Sequence, residues 1–359
     1  MLKKLDIYII KKFLGTFFFS IILIISIAIV FDISEHIEDF IDKKAPLKAI
    51  IFEHYLTFIP YFTNLFSSLF IFISVIFFTS KMAYNTEIIA ILSNGISFRR
   101  FLWPYFLSAL FLAIFSFFLS SYIIPPANEI RLEFENKYIR NKFHNFDKDI
   151  HKQIEPGLFV YMDNYNVSFM MAYKFSLEKF ENGKLKSKLT CDYVKWDTVT
   201  NKWNIYNYRI RNIDGIEETI IKGNQLDTII NLHPSEFSRR ETIIETMNYN
   251  ELNDFIDKQM MQGSENIKTY LVYKYQRLAY PFSTFILTLI GVTLATRKVK
   301  GGIGIHIGIG IALSFAYILF MQFSTNFAIG GSINPLFAVW IPNIIFSFIG
   351  LFLYKIAPK

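Results

Sequence analysis

Long stretches of the chain carry no charged side chain, and a central region is dense in them. Phe13–Phe31, Tyr55–Ser80, Phe101–Asn128, Leu278–Thr296 and Ile303–Tyr354 contain no Asp, Glu, Lys or Arg. A hydrocarbon core about 30 Å thick is crossed by about 20 apolar residues, each rising about 1.5 Å along a helix. The first four stretches each supply one such helix. The fifth is too long for one, and the turn-forming cluster Gly330-Gly331-Ser332-Ile333-Asn334-Pro335 divides it into two joined by a short hairpin. The pattern therefore predicts six transmembrane helices. Asp32-Ile33-Ser34-Glu35 follows the first tract directly, with no small-residue cleavage site, so that tract reads as an uncleaved helix.

Between helices three and four the periodicity changes. Pro125-Pro126 is expected to end helix three, because proline cannot continue a helix. Ala127–Arg140 then has helical spacing and extends outward. Leu158–Met162, Val167–Phe175, Leu189–Val194, Trp203–Tyr208 and Glu218–Ile221 are short, β-branched or aromatic runs separated by Asp, Asn and Gly. They predict an all-β, jellyroll-like domain, flanked by a return to helical spacing over Asn248–Met261. The expected divisions are residues 1–124, 125–268 and 269–359. Residues 1–12 read as a basic amphipathic helix on the inner face, 32–50 as a polar outer loop, and 81–100 as a cytoplasmic connection.

Composition sharpens this picture. The chain is 52% hydrophobic and only 19% charged, below the quarter or so of a soluble domain. The net charge of +7 does not require nucleic acid. With the N-terminus in the cytoplasm, twelve Lys and Arg flank the inner helix ends and three flank the outer ones, which is the positive-inside pattern. Both termini are then cytoplasmic and the β-domain periplasmic. One cysteine, Cys191, permits no intramolecular disulfide and gives no zinc spacing.

No phosphate loop is present, and no histidine is spaced to activate a nucleophile, so neither an ATPase nor another enzyme is expected, nor a cofactor or metal. The glycines at 301, 302, 304, 308 and 310 lie on a helix instead of following a strand. Gly304, Gly308 and Ala312 recur every four residues, a spacing that lets helix backbones approach closely. The helix centres lack ionisable groups, which ion-coupled transporters place in the membrane. A pathway for something apolar, or a protein driven by an external motor, fits better. In the 81–100 connection, Ile88, Ile89, Ile91 and Leu92 recur at helical spacing, Thr86-Glu87 suits a first turn and Gly95 a C-terminal cap. This predicts a short amphipathic helix, either a surface connector or one docking in a groove of a soluble partner.

Several segments, in order, resemble the LptF/LptG permease family of lipopolysaccharide export. They are Leu5-Asp6-Ile7-Tyr8-Ile9, the stretch from Thr86-Glu87 to Gly95-Ile96-Ser97, Ile124-Pro125, and Trp340-Ile341-Pro342-Asn343. The resemblance covers nearly the whole chain. It implies a permease paired with a paralogous permease as a heterodimer, seated on a dimeric cytoplasmic ATPase of the LptB type. The cargo is lipopolysaccharide, passed to a periplasmic bridge component of the LptC or LptA type. Glu87, Ile88, Ile91 and Gly95 become ATPase-coupling residues. Arg131, Lys43, Lys44, Lys137 and Arg140 become candidates for lipid phosphates. Asn231–Glu236 leans toward the G-type subunit, whereas Ile29-Val30-Phe31-Asp32 departs from it where a lysine can stand near the outer end of helix one. The rivals are another ABC-type lipid or lipoprotein permease, usually four-helical, and a membrane scaffold or sensor with a periplasmic β-domain.

Overall fold

The computed structural model describes residues 3–139, 148–238, 241–264, 266–296 and 303–357. Among them, six helices are long and apolar enough to cross a membrane. They are α1 (Lys4–Asp42), α2 (Leu47–Tyr84), α4 (Phe98–Tyr138), α6 (Ile267–Ala295), α7 (Ile303–Ile329) and α8 (Pro335–Ile356). The short helix α3 (Glu87–Ser93) joins α2 to α4, and α5 (Tyr249–Met261) precedes α6. An antiparallel β-sheet domain is inserted between the third and fourth spans. The chain divides into two compact units, one of residues 1–140, 245–249 and 268–359, the other of 141–244 and 250–267.

Three local expectations give way. Residues 4–12 are the first turns of α1 itself and do not form a separate surface helix. The same helix continues through most of the expected outer loop to Asp42. Its 39 residues extend about 58 Å, well beyond the hydrocarbon thickness. The polar end is held by Asp32, which accepts from His54 Nε2 (2.9 Å) and Tyr55 OH (3.0 Å), and by Phe40 in an apolar cluster with Ala49, Phe134 and Tyr138. Nor do Pro125 and Pro126 end the third span. A π-helical turn, Leu119–Ile123, precedes them, and both prolines occupy the first turn of the α-helical segment Ile124–Tyr138. There the missing N–H groups cost little, and the wider turn accommodates the rings.

The helical unit packs by seams of large and small residues. On α1, Ile9, Phe13, Phe17, Ile21 and Ile25 repeat every four residues and are buried, while most of the remaining circumference is exposed. Phe13 stacks on Phe78 at 5.8 Å and lies 6.3 Å from Tyr105. Gly291 of α6 faces Val75 of α2, where a Cβ would stand 2.9 Å from Val75 Cγ1. Gly310 of α7 faces Ile76 even more closely. Buried Asn343 ties three helices together: its Nδ2 donates to the Ala279 carbonyl (3.0 Å), and its Oδ1 accepts from Tyr317 OH (2.9 Å).

In the other unit, eight strands form an antiparallel sheet: β1 (Lys148–Glu155), β2 (Leu158–Asn166), β3 (Met171–Tyr173), β4 (Ser176–Glu181), β5 (Lys184–Thr190), β6 (Tyr193–Asp197), β7 (Lys202–Asp214) and β8 (Glu217–Thr228). β3 and β4 lie end to end beside β2, and β5 and β6 end to end between them and β7. Tight turns set the hairpins. Asn182-Gly183 has φ of 50° and 75°, the left-handed pair that a two-residue hairpin needs. One crease crosses the strands. Inward residues step by three where two is the rule, from Met162 to Tyr165, Ala172 to Phe175, Cys191 to Val194 and Trp203-Ile205 to Tyr208. Lys174 and Asn207 have positive φ there. Lys174 N–H donates to the Asp192 carbonyl (2.7 Å), and Asn207 Nδ2 to the Asp192 carboxylate (2.9 Å). The sheet thereby bends around one apolar core, in which Trp203 is 1% exposed and its indole N–H donates to the Leu232 carbonyl (2.7 Å). Glu236 closes the unit's edge, accepting from Lys258 (2.8 Å), Gln262 (3.2 Å) and Lys152 (3.4 Å).

Candidate functional site

Helix α3 is built for position. Thr86, left-handed at φ 62°, turns the chain out of α2, and Gly95 at φ 81° turns it out of α3, its N–H on the Leu92 carbonyl. Ile88 is 1% exposed and belongs to the apolar cluster that contains Ile9, Phe13, Met82, Phe98 and Phe101. Ile91 is half-buried against that cluster. The Glu87 carboxylate accepts from Tyr8 OH (3.0 Å) and from Asn85 Nδ2 (3.3 Å). What α3 leaves outward is Ile89, Ala90, Ser93 and Gly95, with Ile89 57% exposed. Nearby, Arg100 grips Asp6 through two hydrogen bonds of 2.7 Å, and the Asp6 carboxylate also accepts from Lys3 N–H (2.8 Å). α1 is thus fastened to α3 by Tyr8 and to α4 by Asp6. Neither link had a sequence signal: Tyr8 and Glu87 lie 79 residues apart, and no periodicity joins them.

The cationic candidates separate into two kinds. Arg131 is 7% exposed, with its guanidinium 4.4 Å over the Tyr61 ring. Glu135 (3.5 Å) and Glu245 (3.8 Å) flank it. Two carboxylates already face this cation. Lys43, Lys44 and Lys137 are exposed. Lys43 Nζ donates to the Ile139 carbonyl (3.2 Å), which brings it near Lys137 at the end of α4, and Lys137 Nζ lies 4.9 Å over the Tyr138 ring. Arg140 lies outside the described residues.

Gly304, Gly308 and Ala312 form one exposed stripe on α7, continued by Ala316. A Cβ on Gly304 or Gly308 would meet nothing within 4 Å, so no other described helix of this chain covers the stripe. The glycine that a neighbouring helix does cover is Gly310.

A cavity of about 400 Å³ opens among α2, α4, α6 and α7. Its walls mix amides and hydroxyls, among them Asn64, Ser120, Asn128, Gln276, Tyr280 and Gln322, with Leu65, Ile318 and Ile329. Single amides and serines spread over four apolar helices carry no recognisable spacing, which is why the sequence did not announce it.

Among the described residues, six spans, an antiparallel β domain inserted between the third and fourth, and a short helix between the second and third define a multi-pass membrane protein. The sequence profile described as lipopolysaccharide export system permease LptF/LptG matches residues 7–356, and the chain belongs to that family. Comparison with individual curated proteins gave no match. The chain is accordingly a multi-pass inner-membrane permease and not itself an enzyme, since ATPase activity in this family lies in a partner.

Proposed function

We propose that this chain is one of two paralogous permeases in an ATP-driven machine that extracts lipopolysaccharide from the inner membrane and hands it to a periplasmic bridge. The observation that carries the reading is the construction of α3. It plugs Ile88 into the helical core, fastens Glu87 to α1 through Tyr8, and leaves Ile89 outward, as suits a helix pushed by a soluble partner. Hydrolysis in a cytoplasmic ATPase dimer of the LptB type would move α3, with Glu87, Ile88, Ile91 and Gly95 as the coupling residues. The plug and the Tyr8 link would pass that movement to α1.

In this account the termini are cytoplasmic and the β-domain periplasmic, in keeping with the basic inner flanks. The exposed face of α7 at Gly304, Gly308 and Ala312 meets the paralogous permease. Lipid then moves between helices one and five of the two permeases, toward the β-domain and a bridge protein of the LptC or LptA type. Lys43, Lys44 and Lys137 serve as outer cations for lipid phosphates, whereas Arg131, already flanked by two carboxylates, is the weaker candidate. The Asn231–Glu236 stretch supports assignment to the G-type subunit.

Co-purification tests the reading. A tagged chain carries the ATPase and the paralogue from native membranes, and Ile89→Asp releases the ATPase while leaving the chain folded. An unchanged ATPase yield with Ile89→Asp contradicts it.

A further inference from the structure

We propose that the cavity among α2, α4, α6 and α7 binds the uncharged, hydroxyl-bearing sugar headgroup of a lipid, with the acyl part left in the bilayer. This rests on the reading of the chain as a lipid-handling permease and adds a polar subsite to it. The volume, about 400 Å³, lies in the range of small-molecule sites.

Polar atoms shut away from water need hydrogen-bond partners, and the cavity wall holds one that lacks its own. Neighbouring groups show the contrast. Ser116 Oγ donates to Asn64 Oδ1 at 2.7 Å, and Ser68 and Ser283 pair at 3.2 Å. Asn128, fully buried, donates Nδ2 to the Glu245 carbonyl (3.3 Å), but its Oδ1 has no hydrogen-bond partner among the described residues. The side chain lines the cavity. A hydroxyl is the complementary donor.

Charge narrows the ligand. Among the described lining residues, Glu245 and Arg277 are the charged ones, one of each sign. Arg277 Nη2 already donates to the Met247 carbonyl at 2.7 Å. The walls therefore offer no excess of positive charge for a phosphate. The rest of the polar wall is amides, hydroxyls and the tyrosines Tyr61, Tyr273, Tyr280 and Tyr317. Amides and hydroxyls exchange hydrogen bonds with sugar hydroxyls, and aromatic faces pack on apolar ring surfaces. The rim is apolar. Leu65, Ile318 and Ile329 are 55%, 39% and 44% exposed, a surface suited to an acyl chain.

The test uses the full chain, co-expressed with its paralogue and ATPase, in phosphatidylethanolamine nanodiscs. Equal amounts of glucosyl diacylglycerol, plain diacylglycerol and phosphatidic acid are supplied, and lipid retained on the released protein is measured by native mass spectrometry. The expected result is at least tenfold preference for the glucosyl lipid. Asn128→Leu abolishes the preference, and Phe323→Leu, outside the cavity wall, leaves it intact. Where Asn128→Leu fails to fold, the partly exposed Gln276→Leu gives the same reading. Equal retention of the three lipids, preference for phosphatidic acid, or a preference that survives both cavity variants overturns the proposal. Displacement by lipopolysaccharide assigns the site to cargo saccharide; resistance to it assigns the site to a bilayer glycolipid, and both keep the site. ATPase co-purification in the same samples reports on the exporter reading separately, so the two can fail independently.

Discussion

Two glycines two residues apart on α7 are expected to respond in opposite ways to the same substitution. Gly310 faces Ile76 and Phe72 of α2 so closely that a Cβ would overlap the Ile76 side chain. Gly308 faces outward, with nothing of this chain within 4 Å of a Cβ. Gly310→Leu inserts four carbons into a packed seam. Overpacking of this kind costs about 2 kcal/mol, roughly a thirtyfold shift toward the unfolded state. Gly308→Leu adds the same carbons to an open face and leaves the isolated chain as stable as before. The assays are thermal denaturation of the detergent-purified chain and recovery of the paralogous permease on it. Gly310→Leu lowers the melting temperature. Gly308→Leu does not, but it lowers recovery of the paralogue, because the stripe from Gly304 to Ala316 then no longer admits a close helix. Equal destabilisation by both variants refutes the placement of α7 against α2. Full recovery of the paralogue on Gly308→Leu refutes the role given to the stripe.

Tyr8→Phe removes one hydrogen bond to Glu87, worth about 1 kcal/mol, and leaves the fold intact; in proteoliposomes, ATP hydrolysed per lipid released rises, and an unchanged ratio removes Tyr8 from the coupling path. In the β domain, burial pushes the Glu236 carboxyl up, but the Lys258 hydrogen bond, the Lys152 and Lys258 charges and the Gln262 amide together hold it below the ordinary glutamate value. Its stabilisation is therefore complete above the ordinary value and lost as pH falls through the depressed one. Glu236→Gln accordingly speeds hydrogen exchange of β1 and α5 at pH 7, by a loss of about 2 kcal/mol, and the difference from wild type shrinks at the acid end. Cys191 is buried, and burial, aided by the Asp192 charge, pushes its thiol up to about 12. It resists maleimide at pH 8 until the domain unfolds, and labelling of the folded chain contradicts its place in the core.

Much of this architecture was legible in charge alone. Tracts free of Asp, Glu, Lys and Arg marked the six spans, and Gly330–Pro335 marked the hairpin, because burying charge in hydrocarbon is costly whatever the tertiary detail. Gly95 and Asn182-Gly183 were equally readable, since positive φ favours these residues. The rest depends on partners distant in sequence. Asp32 and Asp39 looked like loop residues because His54 and Tyr55, which hold Asp32, lie more than 20 positions away. Pro125-Pro126 looked like a stop because the π-turn that admits them has no sequence signature. α7 carries no charged residue and no one-sided stripe of polar ones, so no pattern of polarity could tell Gly310, which packs, from Gly308, which does not. The sheet's crease shows itself only when Lys174, Asp192 and Asn207 are brought together from neighbouring parts of the sheet. Of the candidate site, the short helix and Gly95 were readable. The Tyr8 link, the carboxylates around Arg131 and the polar cavity were not, because each joins side chains from different helices.

The most direct test of the central claim is ATP-dependent release of lipopolysaccharide from proteoliposomes holding this chain, its paralogue and the ATPase. The account predicts release that requires ATP, falls to background with Glu87→Arg, and falls while the chain itself stays folded. Release that is indifferent to ATP, or undiminished by Glu87→Arg, contradicts it.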